Sequence, residues 1–204
     1  MKLSKLLLTV LFTLLIACGG SEPSLNPLSS DATILAFGDS LTYGTGADKQ
    51  DSYPSILAEL LQREVINEGV PGEVSAEGLK RLAEVLAETN PDLVILCHGG
   101  NDFLRKKSKK QLKNNIDKML TLIEASGAQA VLIGVPSFNL MSGGGVTELY
   151  ADVAEQHAIP VDENILQQLL NDPTMKSDDV HPNAAGYRQM AEHIYSLLQQ
   201  AGAV

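Results

Sequence analysis

The sequence predicts an α/β domain built on a parallel sheet that is buried on both faces. Three observations predict it. Short apolar runs alternate with segments of helical periodicity, the runs are continuous in apolar character, and polar glycine-rich loops follow them. The chain has 204 residues, 44% of them hydrophobic, which suits one domain with a sizeable core.

The elements follow in order. Thr33 to Phe37 is a short apolar strand. Ser52 to Gln62 is an amphipathic helix, with Ser52 at the cap position and Pro54 in the first turn. Val65 to Asn67 is a second strand. Ser75 to Glu88 is a helix with Leu79, Leu82 and Leu86 on one face. Leu93 to His98 forms a third strand, Gln111 to Ala125 a helix, and Ala130 to Val135 a fourth strand. Thr147 to His157 is another helix, Ile159 to Val161 a brief fifth strand, and Asn164 to Leu170 a short helix. A long helix from Asn183 to Ala201 closes the chain. In open parallel sheets, ligands bind beyond the carboxyl ends of the strands, so functional residues are expected just after the strands.

The first residues stand outside this fold. Lys2 and Lys5 precede the apolar run Leu6 to Ile16, which is short for a bilayer span and has the form of a secretory signal. Leu15-Ile16-Ala17-Cys18 resembles a bacterial lipobox. That resemblance implies a signal peptide over residues 1–17, cleavage before Cys18, and acylation of Cys18 that anchors the chain on a membrane of the cell envelope. An ordinary secretory signal with an incidental cysteine is the competing reading. Residues 18–31, rich in Ser, Pro, Gly and Asn, read as the lipidated cysteine and a flexible tether, which leaves 32–204 as the folded domain.

The formal net charge is −10, and losing Lys2 and Lys5 with the signal would make it −12. A surface this acidic argues against nucleic acid as a partner. The chain has two cysteines; with Cys18 acylated, Cys97 stands alone in an apolar strand and reads as a buried, inert thiol.

Four polar runs carry the chemistry. The first three follow predicted strands: Gly38-Asp39-Ser40-Leu41, Asn67-Glu68-Gly69-Val70-Pro71-Gly72, and Gly99-Gly100-Asn101-Asp102. The fourth, Asp178-Asp179-Val180-His181-Pro182, precedes the last helix. A serine becomes a nucleophile when a base takes its proton and a third group fixes the base's tautomer. The sequence offers four histidines. His157 sits at a helix C-terminus, where a solvated or dipole-neutralising role suffices. His193 lies within the last helix as a surface or packing residue, and His98 reads as a hydrogen-bonding neighbour of the third run. Only His181 has a carboxylate three residues earlier in a loop, Asp178, which can orient the ring towards Ser40; adjacent Asp179 is expected to point elsewhere. The amides of Ser40 and Gly72 and the side chain of Asn101 can donate to a developing oxyanion. Taken singly, each is also an ordinary turn residue.

Together Ser40, Gly72, Asn101 and His181 resemble the invariant set of the SGNH, or GDSL, hydrolase family. The runs Gly38 to Gly44 and Cys97 to Asp102 look particularly like the arylesterases of its arylesterase, lysophospholipase and thioesterase branch. The resemblance runs from about Thr33 to the C-terminus. It implies a three-layer α/β/α flavodoxin-like fold with about five parallel strands, and a serine esterase with Ser40, His181 and Asp178 as catalytic residues. Ser40, Gly72 and Asn101 would form the oxyanion hole, Asp39 and Asp102 would act as scaffolding, with contact between Asp102 and substrate as the alternative, and no cofactor or metal is called for. A metal site from His98, Asp102, Asp178 and His181 lacks any ligand pair at helix spacing. The chain has no Gly-x-Ser-x-Gly elbow, which argues against an ordinary α/β-hydrolase.

The substrate would be a small-molecule or lipid ester, with acyl thioesters in the same class. A carbohydrate acetylesterase is an alternative, weakened by the absence of tryptophan for sugar stacking. A non-catalytic acyl-ligand-binding protein would be expected to lack a member of the set. A phosphate-binding module using Gly38 to Gly46 leaves Asp178 and His181 unexplained. Two segments are candidates for setting specificity. Arg105, Lys106, Lys107, Lys109, Lys110 and Lys113 form the one basic run, either a solvated helix face or a surface facing membrane or an anionic headgroup. Phe138 to Gly145 would line an acyl groove or cap the core.

Overall fold

Residues 23–137 and 148–204 are described by the structure, a computed structural model. Five parallel strands form its centre: β1 (Thr33–Gly38), β2 (Glu64–Gly69), β3 (Leu93–Cys97), β4 (Gln129–Ile133) and β5 (Val161–Asp162), in the order β2-β1-β3-β4-β5. β1, β3 and β4 are apolar and almost wholly buried because helices cover both faces of the sheet. β2, at one edge, is half-buried and carries Glu64 and Glu68, charges that suit an unpaired edge.

The helices are α1 (Ser40–Tyr43), α2 (Tyr53–Leu61), α3 (Ser75–Thr89), α4 (Gly100–Leu104), α5 (Lys109–Ser126), α6 (Leu149–His157), α7 (Ile165–Asn171) and α8 (Ala184–Gln200), with a 3₁₀ turn at Lys49–Asp51. α3, α5 and α6 pack side by side, while α2, α8 and α7 pack together as a second group. The chain order requires this division. The β1–α2–β2 crossover moves one way along the sheet and all later crossovers move the other way, so right-handed connections put α2 opposite α3, α5 and α6. The expected three-layer α/β/α architecture is the one found. The reversal creates a crevice at the carboxyl end of β1, next to β3, and Ser40 lies two residues past that end.

Besides the short helices α1 and α4, which form where polar runs were expected, two segments differ from the sequence expectation. The fifth strand forms at Val161–Asp162 and not at 159–161, because Pro160 has no N–H to give the ladder; only its carbonyl joins, accepting from the Leu132 amide at 3.0 Å. The segment 23–31, expected as tether, lies along the domain. Leu25 and Leu28 donate their amides to the carbonyls of Ala201 and Ala203, and Arg63 donates to the carbonyls of Leu28 and Ser29. Its two leucines pack on the core, which outweighs a composition typical of linkers. Residues 1–22, including the predicted signal peptide and Cys18, and residues 138–145, expected to line a groove or cap the core, lie outside the described residues, as does Thr147, the expected start of a helix.

Glycines let the first loop fold back onto the sheet. Gly38 and Gly69 are register partners at the carboxyl ends of β1 and β2. A Cβ on Gly38 would lie 2.1 Å from the Cys97 carbonyl and 2.3 Å from Thr42 Oγ1; one on Gly69 would lie 2.1 Å from the Tyr43 amide nitrogen. The backbone of α1 therefore seats directly on the sheet edge, which fixes the height of Ser40. Gly69→Ala is expected to cost about 1–3 kcal/mol in urea unfolding, as overpacking against backbone does, and to lower turnover by lifting α1. Wild-type stability and turnover in this variant would contradict the seating.

Candidate active site

Parts of all four polar runs converge on one cleft of about 220 Å³, lined among others by Asp39, Ser40, Gly72, Asn101, Leu104 and His181. Ser40 opens α1, whose N-cap Asp39 accepts from the Leu41 amide at 3.1 Å. His181 precedes α8 in a loop pinned by Ser177, whose amide donates to the His181 carbonyl at 2.9 Å, and by Asn183, which caps α8.

Asp178, His181 and Ser40 form a continuous hydrogen-bonded line. His181 Nδ1 lies 2.8 Å from Asp178 Oδ2, and His181 Nε2 lies 3.0 Å from Ser40 Oγ. A carboxylate only accepts, so Nδ1 carries the proton and the Nε2 lone pair faces the Ser40 hydroxyl. Burial opposes the Asp178 charge, but the His181 ring and the amides of Val180 and His181 donate to it and hold its carboxyl below the usual range. Asp179 points into solvent near Lys176, as expected of the competing carboxylate.

The candidate oxyanion donors line the same cleft as Ser40. Gly72 occupies a left-handed turn, φ 80°, so its amide can face the cleft. Among the described residues, neither the Ser40 nor the Gly72 amide donates a hydrogen bond. Asn101 Nδ2 donates to Asp39 Oδ2 at 3.3 Å, which holds its side chain in the cleft that Ser40 also lines. Burial pushes the Asp39 carboxyl up, against the opposing influence of His98, Leu41, Asn101 and His181. Asp102 is buried away from the cleft and caps α3 from a distance, accepting from the Ser75 amide at 2.7 Å and the Ser75 hydroxyl at 2.8 Å. Its place is structural.

The remaining histidines lie elsewhere. His98 is fully buried, with Nε2 3.1 Å from Glu73 Oε2 and with Nδ1 unpartnered among the described residues. His157 lies 3.0 Å from Asp117, and His193 lies 2.8 Å from Asp162. His98 and Asp102 are thus committed to Glu73 and Ser75, apart from the Asp178–His181 pair, so the four do not come together around one point. Cys97 is buried, and burial pushes its thiol well up.

Sequence reasoning missed the residues that hold the loops. Arg81 of α3 donates to Glu73 Oε1 at 2.8 Å and Oε2 at 2.9 Å, to the Glu68 carbonyl at 2.9 Å, and to the Gly38 carbonyl at 3.3 Å; its guanidinium stacks 4.0 Å over Phe37. Arg105 donates to the Gly72 carbonyl at 2.7 Å from outside. Three buried tyrosines tie down the same loops: Tyr53 at Thr42, Tyr187 at the Thr45 carbonyl, and Tyr150 at the His98 carbonyl. An arginine within a helix and tyrosines within apolar faces give no local signal of such partners.

A nucleophile, an oriented base and free amide donors around an open cleft on a flavodoxin-like sheet define a serine acyl hydrolase of the SGNH type. Residues 36–189 match the model of the GDSL-like Lipase/Acylhydrolase family. The chain belongs to that family and is a carboxylic ester hydrolase. It is 30% identical over 174 residues to the arylesterase of Vibrio mimicus, covering 81% of this chain and 87% of that protein. It is also 30% identical over 176 residues to the esterase TesA of Pseudomonas aeruginosa, covering 82% and 88%. The crystal structure of TesA superposes with a TM-score of 0.76 at 28% identity, covering 83% of this chain and 99% of that one.

Burial works against the Glu73 charge, but the hydrogen bonds from His98 and Arg81 outweigh it and lower its pKa. Its contribution to stability is therefore complete above about 4.3, the unfolded value, and is lost as pH falls through the lower native pKa. Glu73→Gln is expected to cost about 1–3 kcal/mol in urea unfolding at neutral pH. The gap from wild type is expected to close on acidification below the native pKa. A gap that does not change with pH would show that the Glu73 charge is not what holds the loop.

Proposed function

We propose that the chain cleaves carboxylic esters of aryl or short-to-medium acyl type through an acyl-enzyme on Ser40. The observation that carries this reading is the line from Asp178 through His181 to Ser40, 2.8 and 3.0 Å long, ending in a cleft that Gly72 and Asn101 also line. His181 Nε2 takes the Ser40 proton as Oγ attacks the ester carbonyl carbon. Negative charge on the carbonyl oxygen is met by the Ser40 and Gly72 amides and the Asn101 side chain. The His181 proton then passes to the leaving oxygen, the C–O bond breaks, and the alcohol or phenol departs. Water attacks the acyl-Ser40 carbonyl by the same route, giving its proton to His181. Ser40 recovers a proton from His181 as the acid leaves.

The size of the cleft supports the substrate class. At about 220 Å³ it is smaller than sites that enclose drug-sized ligands, ~300–1,000 Å³, and Leu41, Pro71, Leu104 and Val180 make its wall apolar. It suits an aryl ring or a short acyl chain. The names of the Vibrio mimicus and Pseudomonas aeruginosa relatives, an arylesterase and an esterase, point the same way.

Ser40→Ala and His181→Ala are each expected to lower kcat on an aryl acetate by ~10⁴-fold or more with folding intact. Asp178→Ala should lose less, because the Asp178 carboxylate is half exposed and water can replace part of its effect. Full activity in either of the first two variants overturns the assignment. We also read Leu15 to Cys18 as a lipobox that anchors the enzyme in a bacterial cell envelope. Cys18→Ala is then expected to move the protein from the membrane to the soluble fraction and to abolish incorporation of labelled fatty acid, whereas unchanged fractionation and labelling would refute the anchor.

A further inference from the structure

Among the described residues, the exposed large apolar side chains are Tyr43, Val70, Leu104 and Val204. One of these four, Leu104, lines the active-site cleft, and two more stand on the segments that carry its lining residues. Leu104, 47% exposed, lines it directly. Val70, 39% exposed, immediately precedes Pro71 and Gly72 of its wall. Tyr43, 55% exposed, ends the helical turn that begins at Ser40, and its backbone lies against Gly69, the residue before Val70. Arg105 closes the rim by donating to the Gly72 carbonyl. Isolated exposed apolar residues are ordinary, but a set gathered around one opening marks a contact surface.

The basic run continues from this rim. Arg105, Lys106, Lys107, Lys109 and Lys110 are all exposed, and none is ion-paired among the described residues; Lys113, further along α5, is held by Asp152. The arrangement carries two local costs. Lys106 adopts a left-handed backbone, φ 52°, where glycine would be easier. Lys109 and Lys110 stand in the first turn of α5, which has no acidic residue, so they face the positive end of the helix dipole. In a chain of net charge −10, these cations form a concentrated exception. An anionic surface would repel most of this molecule and attract this face, which sets orientation as well as affinity.

We infer that the cleft rim is a docking surface for an anionic phospholipid bilayer, with the lysines at headgroup phosphates and Tyr43, Val70 and Leu104 dipping into the interface. Charge complementarity selects the phosphate layer. The apolar rim selects a bilayer over a soluble polyanion, because tyrosine and aliphatic side chains are favoured at the headgroup boundary. Docked in this way, the mouth beside Ser40 opens at the depth where ester groups of lipids or dissolved apolar esters reside.

The test uses the full chain with Cys18→Ala and Tyr43→Cys, carrying an environment-sensitive fluorophore at position 43; Cys97 is buried and does not compete for the label. A label on the rim reports docking of this face whatever the N-terminal residues do. Vesicles of phosphatidylcholine alone are compared with vesicles that also contain phosphatidylglycerol. The expected result is a blue shift with phosphatidylglycerol that weakens as salt rises. Adding Lys106→Glu, Lys107→Glu, Lys109→Glu and Lys110→Glu is expected to raise the lipid concentration at half-response by about 100-fold or more, each lysine contributing roughly fivefold. Hydrolysis of a neutral soluble aryl ester is expected to be unchanged by those four substitutions, which separates this inference from the esterase reading. Equal response to both vesicles, or a response that survives charge reversal, overturns the proposal. So does a raised KM for a soluble anionic ester with the vesicle response intact, since the cluster would then read a dissolved anion.

Discussion

One guanidinium holds the carboxyl edge of the sheet together. Arg81 reaches from α3 to the Gly38 carbonyl at the end of β1, to Glu68 near the end of β2, and to Glu73 just past Gly72; through Glu73 it is joined to His98, which leads into Gly99 to Asn101. Each of the three strand-following loops is therefore bound, directly or through one further side chain, to the same cation. A largely buried charge is tolerated only where its donors are satisfied. Any displacement of one loop would leave the guanidinium short of an acceptor, so the loops are constrained as a unit.

That constraint works because the backbone can approach closely enough to use it. Gly38 and Gly69 remove the side chains that would separate α1 from the sheet, and Tyr53, Tyr150 and Tyr187 then fasten the same loops from the helical layers with single hydroxyls. Apolar rings filling the core and polar tips bound to loop atoms join packing to site geometry. A site built on loops gains the rigidity of the sheet beneath it, at a topological switch point where the fold already leaves a crevice.

The sequence made the strands legible, because continuous apolar runs of that length between helical segments have few other solutions. It also made legible the set Ser40, Gly72, Asn101, Asp178 and His181, because each lies in a polar run that interrupts the alternation. The structure brings all five to one cleft or its border. What stayed hidden is long-range. Nothing near Arg81 in sequence announces Gly38, and nothing near Tyr187 announces Thr45, 142 residues away. The seating of 23–31 was hidden for the opposite reason: its composition reads as linker, and only the docking surface formed by 201–203 and Arg63 gives Leu25 and Leu28 a place. The shift of β5 was legible in principle, since Pro160 cannot donate to a ladder.

The two aspartates nearest Ser40 show how environment divides similar groups. Asp39 is buried beneath the nucleophile, and burial raises its pKa; its oxygens serve position, accepting from the Leu41 amide and the Asn101 side chain. Asp178 lies beyond His181 with 53% of its side chain exposed, and three donors keep its pKa low. A group that must stabilise a developing imidazolium needs to stay ionised across the working pH range, which favours solvent and donors over depth. A group that must only hold a neighbour in place gains from depth, where its hydrogen bonds have no competing water. The site thus keeps the carboxylate that must be charged within reach of water and puts the one that must be rigid inside.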